Sequence, residues 1–267
     1  MIASLPPAIV QEIEAQTDSK VSQFCFANGG CINNGGKVTT TRRAFFLKWN
    51  DRDKYPGMFE AEAKGLALLR TSQPITVPQV IFSGGVGPHQ FLLLEHIDEG
   101  TRSERYWKDF GQSLAALHRQ TAHDHGLDHD NYIGSLPQQN KQSKSWAEFF
   151  IAQRLKVQLR MAVDKRKLDL TVSKKFDRLF NWLPTFLPEE SPSLLHGDLW
   201  GGNMMTTSTG RPCLVDPAVY YGHREVDLAM TQLFGGFDAS FVESYREVYP
   251  LLPDYEERLE LYNLYPL

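Results

Sequence analysis

Three oxygen-bearing side chains stand at intervals suited to moving a phosphoryl group. Asp198 closes the run Leu194-Leu195-His196-Gly197-Asp198, Asn203 follows five positions later, and Asp216 comes thirteen beyond that, behind the apolar approach Cys213-Leu214-Val215. A carboxylate in the first place can accept the proton of an attacking hydroxyl. An amide oxygen and a second carboxylate are hard donors that can hold Mg²⁺ against nucleotide phosphates. Gly, Asn and Asp are also ordinary turn formers, so each fragment alone reads equally well as a hairpin. Together and in this order they point to phosphoryl transfer from ATP.

Chemistry of this kind needs a cation on the phosphates and a cover over them, and the first hundred residues offer both. Lys48 lies inside the apolar run 44–49, where a charge needs a partner or a polar cavity. A helix is expected from about 57 to 69, with Phe59, Ala63, Leu66 and Leu69 on one face and Glu62 beside it. Strands are expected at 21–27 and 44–49, joined by the Gly-rich stretch 28–36, which contains Gly29, Gly30, Cys31 and Ile32. A glycine cluster between two strands is no Walker loop, which must open a helix. It reads as a plain hairpin or, ahead of Lys48, as a flap whose backbone N–H groups cover phosphates. Two more strands, 77–82 and 91–95, flank a Gly-rich turn at 84–87. The second ends at Glu95-His96-Ile97.

Beyond residue 100 the pattern turns helical. Phe110, Leu114 and Leu117 recur at helical spacing, and His118 is of the packing kind. His123, His125 and His129 stand among Asp124, Asp128 and Asp130, but without firm helical spacing, so no metal site is read there. The run 130–140 reads as a loop near the cleft, and the run from Trp146 to Leu155 as helix packing. Asp227 opens another helix.

Net charge is −4 with a sequence pI of about 6.1, so no basic excess points to nucleic acid or a membrane surface. Three cysteines make a disulfide framework unexpected, and a reducing, cytoplasmic setting is the expectation. The first residues carry neither a basic n-region nor a long apolar run.

The kinase catalytic loop is written H-R-D-L-x-x-x-N, followed by a metal-binding Asp. This chain matches it with Gly197 in place of Arg, followed by Asp216-Pro217-Ala218, and nothing like A-P-E comes after. The fuller strings, His196-Gly197-Asp198-Leu199-Trp200-Gly201-Gly202-Asn203 and the run from Asp216 through Tyr221-Gly222-His223-Arg224-Glu225 to Ala229, resemble the fructosamine-3-kinase (ketosamine kinase) family. The likeness covers nearly everything from residue 20 onward.

That resemblance implies an α+β, protein-kinase-like fold in two lobes. The first, 1–97, would be an antiparallel-sheet nucleotide-binding lobe; the second, 98–267, a mostly helical lobe holding the catalytic loop and substrate cleft, with the boundary at 97–100. It implies Asp198 as the base, Lys48 braced by Glu62 on the phosphates, and Asn203 and Asp216 on Mg²⁺. Nucleotide contacts are expected from Gly29, Gly30, Cys31 and Ile32 in the flap and from Glu95, His96 and Ile97 at the hinge. The acceptor would be the sugar 3-hydroxyl of a fructosamine or ribulosamine on a protein or small amine. Trp200, two residues after the base, reads either as a platform for the sugar or as loop packing. Cys31 reads either as an inert thiol or as the link of an oxidation-dependent dimer of an otherwise monomeric protein. The resemblance also expects the last helix to continue past Leu267. Two other readings remain at this stage: a kinase for aminoglycosides or choline, and a nucleotide-binding scaffold without turnover.

Overall fold

The computed structural model describes residues 5–27, 32–71 and 75–267. Its first lobe is a five-stranded antiparallel sheet in the order β1-β2-β3-β5-β4, made of β1 (Val21–Phe26), β2 (Asn34–Thr40), β3 (Ala44–Asp51), β4 (Val80–Val86) and β5 (His89–Glu95). Strand β5, between β3 and β4, is apolar on consecutive positions because both its faces are covered. Phe91 and Leu93 pack with Ile9 and Ile13 of α1 (Pro7–Thr17), while Leu92 and Leu94 pack with Leu66 and Leu69 of α2 (Met58–Arg70). Each such fully buried side chain contributes about 1.5–3 kcal/mol.

Two strands differ from the sequence reading. The stretch after the flap is itself a strand, β2, although Gly35 and Gly36 are poor strand formers. Gly36 is required there, since a β-carbon on it would stand 2.2 Å from the Cys25 carbonyl oxygen. Likewise Gly84 and Gly85 belong to β4, and the turn falls at Gly87, whose φ is +56°.

The second lobe is mostly helical. Helix α3 (Tyr106–His118) packs along α8 (Ala239–Val248) through Phe110, Leu114 and Phe241, while α7 (Glu225–Leu233) and α9 (Tyr255–Tyr262) close its far side. A short α4 (Trp146–Phe149) runs into a π-helical turn at Phe150–Leu155 and then α5 (Lys156–Asp164), with α6 (Leu170–Phe186) beyond. The stretch read as a loop near 130–140 is a hairpin, β6 (Asn131–Ile133) and β7 (Leu136–Gln138), turning at Gly134. Four short strands frame the central stretch: β8 (Ser193–Leu195) pairs with β11 (Tyr220–Gly222), and β9 (Met204–Thr206) with β10 (Pro212–Leu214).

Candidate active site

The loop after β8 is shaped by one buried carboxylate. Asp227, in the first turn of α7, accepts the His196 N–H at 2.7 Å and the Gly197 N–H at 2.9 Å, and its side chain also meets His118 Nε2 at 3.2 Å. Gly197 sits at φ +82°, and a β-carbon there would fall 2.1 Å from the Ala218 carbonyl oxygen, so no side chain fits this place. Burial lowers the His196 pKa, which keeps the imidazole neutral. Its Nε2–H donates to the Val215 carbonyl at 3.0 Å, and its Nδ1 accepts the Asp198 N–H at 3.3 Å.

Asp198 and Asn203 emerge side by side. Asn203 Nδ2 donates to the Asp198 carboxylate and to its carbonyl, both at 2.9 Å, which leaves the amide oxygen of Asn203 as an acceptor. Burial pushes the Asp198 carboxyl up to about 6; the Asn203 hydrogen bond opposes this, and the charges of Asp216 and Asp227 add to it. The Val215 N–H donates to the Asn203 carbonyl at 3.0 Å, which sets Asn203 beside the approach to Asp216. Asp216 adopts φ +54°, a left-handed conformation uncommon for a residue with a side chain, and its carboxylate is about half exposed. One amide oxygen and one exposed carboxylate on adjoining strand ends make a hard-donor pair suited to Mg²⁺.

Across from them Lys48 Nζ lies 2.7 and 2.8 Å from the two Glu62 oxygens and 3.0 Å from Asp216 Oδ1. Burial alone would lower the Lys48 pKa, but the Asp216 and Glu62 carboxylates outweigh it and hold the ammonium above its ordinary value. Lys48, Glu62, Asp198, Asn203 and Asp216, read from distant parts of the sequence, therefore converge on one place.

The other expected positions divide. Ile32 is partly exposed, and its Cδ1 lies over Gly134 of the β6–β7 turn. Gly29, Gly30 and Cys31 lie outside the described residues. At the end of β5 the Glu95 side chain turns back to accept the Gln79 N–H at 3.1 Å, and His96 faces Asp98 at 3.2 Å. The Trp200 ring meets Phe234 edge to face at 5.6 Å and lies over Gly202. Both rings are solvent-accessible, at 38% and 62% of full exposure. Phe234 escaped sequence reading; Gly235 and Gly236 after it, both at positive φ, were the available sign of a shaped loop. Also missed were the buried amides of Asn131 and Gln138, which reach the carbonyls just after Asp216.

Sheet lobe, helical lobe and the convergence of Lys48 and Glu62 with the Asp198 loop define the protein-kinase-like class of phosphotransferases. Within that class the model of the fructosamine kinase family matches residues 6–267, and the chain belongs to that family. A protein of Synechocystis sp. named as a probable ketoamine kinase is 40% identical over 266 residues, spanning 96% of this chain and 87% of its own. The chloroplastic protein-ribulosamine 3-kinase of Arabidopsis thaliana is 36% identical over 251 residues, covering 92% of this chain and 76% of that protein. A solved structure from Thermobifida fusca, assigned to the fructosamine-3-kinases, superposes with a TM-score of 0.88 at 31% identity over 98% of this chain and 91% of its own. The aminoglycoside phosphotransferase APH(4)-Ia shares the fold at 16% identity, with a TM-score of 0.64 over 97% of this chain and 88% of its own.

Proposed function

We propose that this chain transfers the γ-phosphoryl group of ATP to the 3-hydroxyl of a ketosamine, the sugar adduct of a protein or small amine. The observation that carries the chemistry is the pairing of Asp198 with Asn203 opposite the Lys48–Glu62 ion pair; the family match carries the acceptor. ATP would lie between the lobes 1–97 and 98–267, its adenine at the 95–97 hinge and its phosphates under the 29–32 flap. Lys48, fixed by Glu62, grips phosphate oxygens. Asn203 and Asp216 would hold Mg²⁺, which neutralises phosphate charge when bound. Asp198 accepts the proton as the sugar oxygen bonds to phosphorus and the bond to ADP breaks. Catalysis of this kind is chiefly positioning and charge neutralisation. The 3-phosphorylated ketosamine is unstable and sheds its sugar, so the activity amounts to repair of glycated amines.

The Trp200–Phe234 pair supports an apolar platform for the acceptor. The test is a panel of a fructosyl-amine, a ribulosyl-amine, free fructose, choline and kanamycin, each with ATP and Mg²⁺. Both glycated amines should be turned over far better than the rest; turnover of kanamycin or choline alone would overturn the acceptor assignment. Within the same panel Trp200→Ala should raise the acceptor KM about threefold to tenfold, the worth of one aromatic contact, and leave the ATP KM near wild type. A redox-linked dimer through Cys31 belongs to the same reading. Peroxide should give a thiol-reversible dimer band on a gel that Cys31→Ser abolishes and Cys25→Ser does not.

A further inference from the structure

We propose that Asn131 and Gln138, the amides of the β6–β7 hairpin, are positioning residues that hold Asp216 in its metal-binding conformation; this rests on reading Asp216 as a metal ligand. A left-handed aspartate persists only where its surroundings over-determine it. Here the backbone two and three residues after Asp216 is tied at each position. The Ala218 N–H donates to the His196 carbonyl at 2.9 Å. The Ala218 carbonyl accepts from Gln138 Nε2 at 3.0 Å, and the Val219 carbonyl accepts from Asn131 Nδ2 at 2.8 Å. From Tyr220 onward the chain is paired into β11.

The two amides are themselves fixed. Gln138 Nε2 also donates to Asn131 Oδ1 at 2.8 Å, and Tyr265 Oη donates to Gln138 Oε1 at 2.9 Å. Asn140 Nδ2 donates to Asn131 Oδ1 at 3.1 Å, while its own Oδ1 accepts from the buried Arg154 at 2.7 Å. The same hairpin reaches the other lobe: Tyr132 Oη donates to the Pro56 carbonyl at 3.0 Å, just ahead of the helix that carries Glu62. The hairpin thus holds the segment after Asp216 through its buried amides and the approach of α2 through the exposed Tyr132 hydroxyl. The Asn131 and Gln138 amides are satisfied at both oxygen and nitrogen, and buried polar groups satisfied in this way specify a single arrangement. In protein kinases that segment is set by phosphorylation of the activation loop; in this chain the hairpin amides take its place, and no modification is needed.

The test measures ADP affinity by calorimetry in EDTA and in excess Mg²⁺, so that the ratio of the two dissociation constants reports the metal's contribution without turnover. In Gln138→Met and Asn131→Ala the ratio should shrink about tenfold, as when the support of a metal ligand is removed. ADP affinity in EDTA should stay within about twofold of wild type, because the supported atom is a metal ligand and not a nucleotide contact. Ile13→Ala, a core change on the buried face of α1, should lower the melting temperature and leave the ratio unchanged. Tyr265→Phe loosens Gln138 alone and should give a smaller decrease of the same sign, which keeps the proposal open to test should Asn131→Ala fail to fold. A folded Gln138→Met with the wild-type ratio would overturn the proposal. A wild-type protein with no Mg²⁺ effect on ADP binding would instead remove the metal reading of Asp216 on which it depends.

Discussion

Asp198 stands at the end of a chain of contacts that begins at Asp227, which holds the His196 and Gly197 N–H groups, and reaches the Asp198 N–H through the His196 ring. Asp198→Asn preserves the size of the side chain and an oxygen for the Asn203 amide, but it cannot take a proton. We expect kcat to fall by about 10²–10⁴, the usual worth of a general base, with ATP affinity by calorimetry close to wild type. A variant keeping more than a tenth of wild-type kcat would strip Asp198 of the role. This part of the site was legible in the sequence because its members share one loop: His196, Asp198 and Asn203 sit at spacings that a single turn imposes. Phe234 was not, since its pairing with Trp200 joins residues thirty-four positions apart and depends on how α7 ends.

Helix α2 shows how an element carries a side chain to the site. Gly65 lies in its middle, where glycine costs about 0.5–1 kcal/mol relative to alanine. A β-carbon at Gly65 would come within 3.1 Å of Val219 Cγ2 and 3.8 Å of the Pro217 ring, so the helix rests directly on the segment that follows Asp216. Gly65→Val would wedge the two apart and draw Glu62 away from Lys48. We expect kcat/KM for ATP to drop by about tenfold or more, as a displacement of about 1 Å at a positioned group is known to do, with acceptor KM less affected. Wild-type kinetics from a folded Gly65→Val protein would mean that the contact is not needed. The helix and the apolar strands could be read in advance because their periodicity is local. Strand β2 and the glycine-bearing half of β4 could not, because glycine is acceptable there only by virtue of neighbours that the fold supplies, Cys25 and Phe24 against Gly36 and Phe82 against Gly84. The β6–β7 hairpin was hidden for a similar reason: its amides look like loop residues until the Ala218 and Val219 carbonyls are in place.

Across the whole molecule one continuous apolar core joins the lobes, running from Leu66, Leu92 and Leu94 to Phe110, Leu114, Leu214 and Leu228. Behind it a buried ionic network ties the outer helices to the start of α7, two residues from Asp227. Arg224 Nε lies 2.8 and 3.0 Å from the Glu190 oxygens, its other nitrogens reach the Tyr249 and Pro250 carbonyls, and its guanidinium stacks on Tyr249 at 3.6 Å. Arg258 grips Glu225 with two bonds of 2.7 Å. The neutral ring of His223 lies between Glu190 and Glu225, its pKa held down by burial and by the nearby Arg224 and Arg258. Removing one partner of a buried pair leaves the other charge and its carbonyls unpaired, at a cost of about 3–5 kcal/mol. Arg224→Met should therefore lower the melting temperature by roughly 6–15 °C at this chain length, while kinetics measured well below the transition stay near wild type. Replacing Glu190 by Gln as well should recover part of the loss, with a coupling of at least about 1 kcal/mol in the double-mutant cycle. If the two changes simply add, the pair is not what holds α7, and the support of Asp227 must come from the apolar packing of α3, α8 and α9 instead.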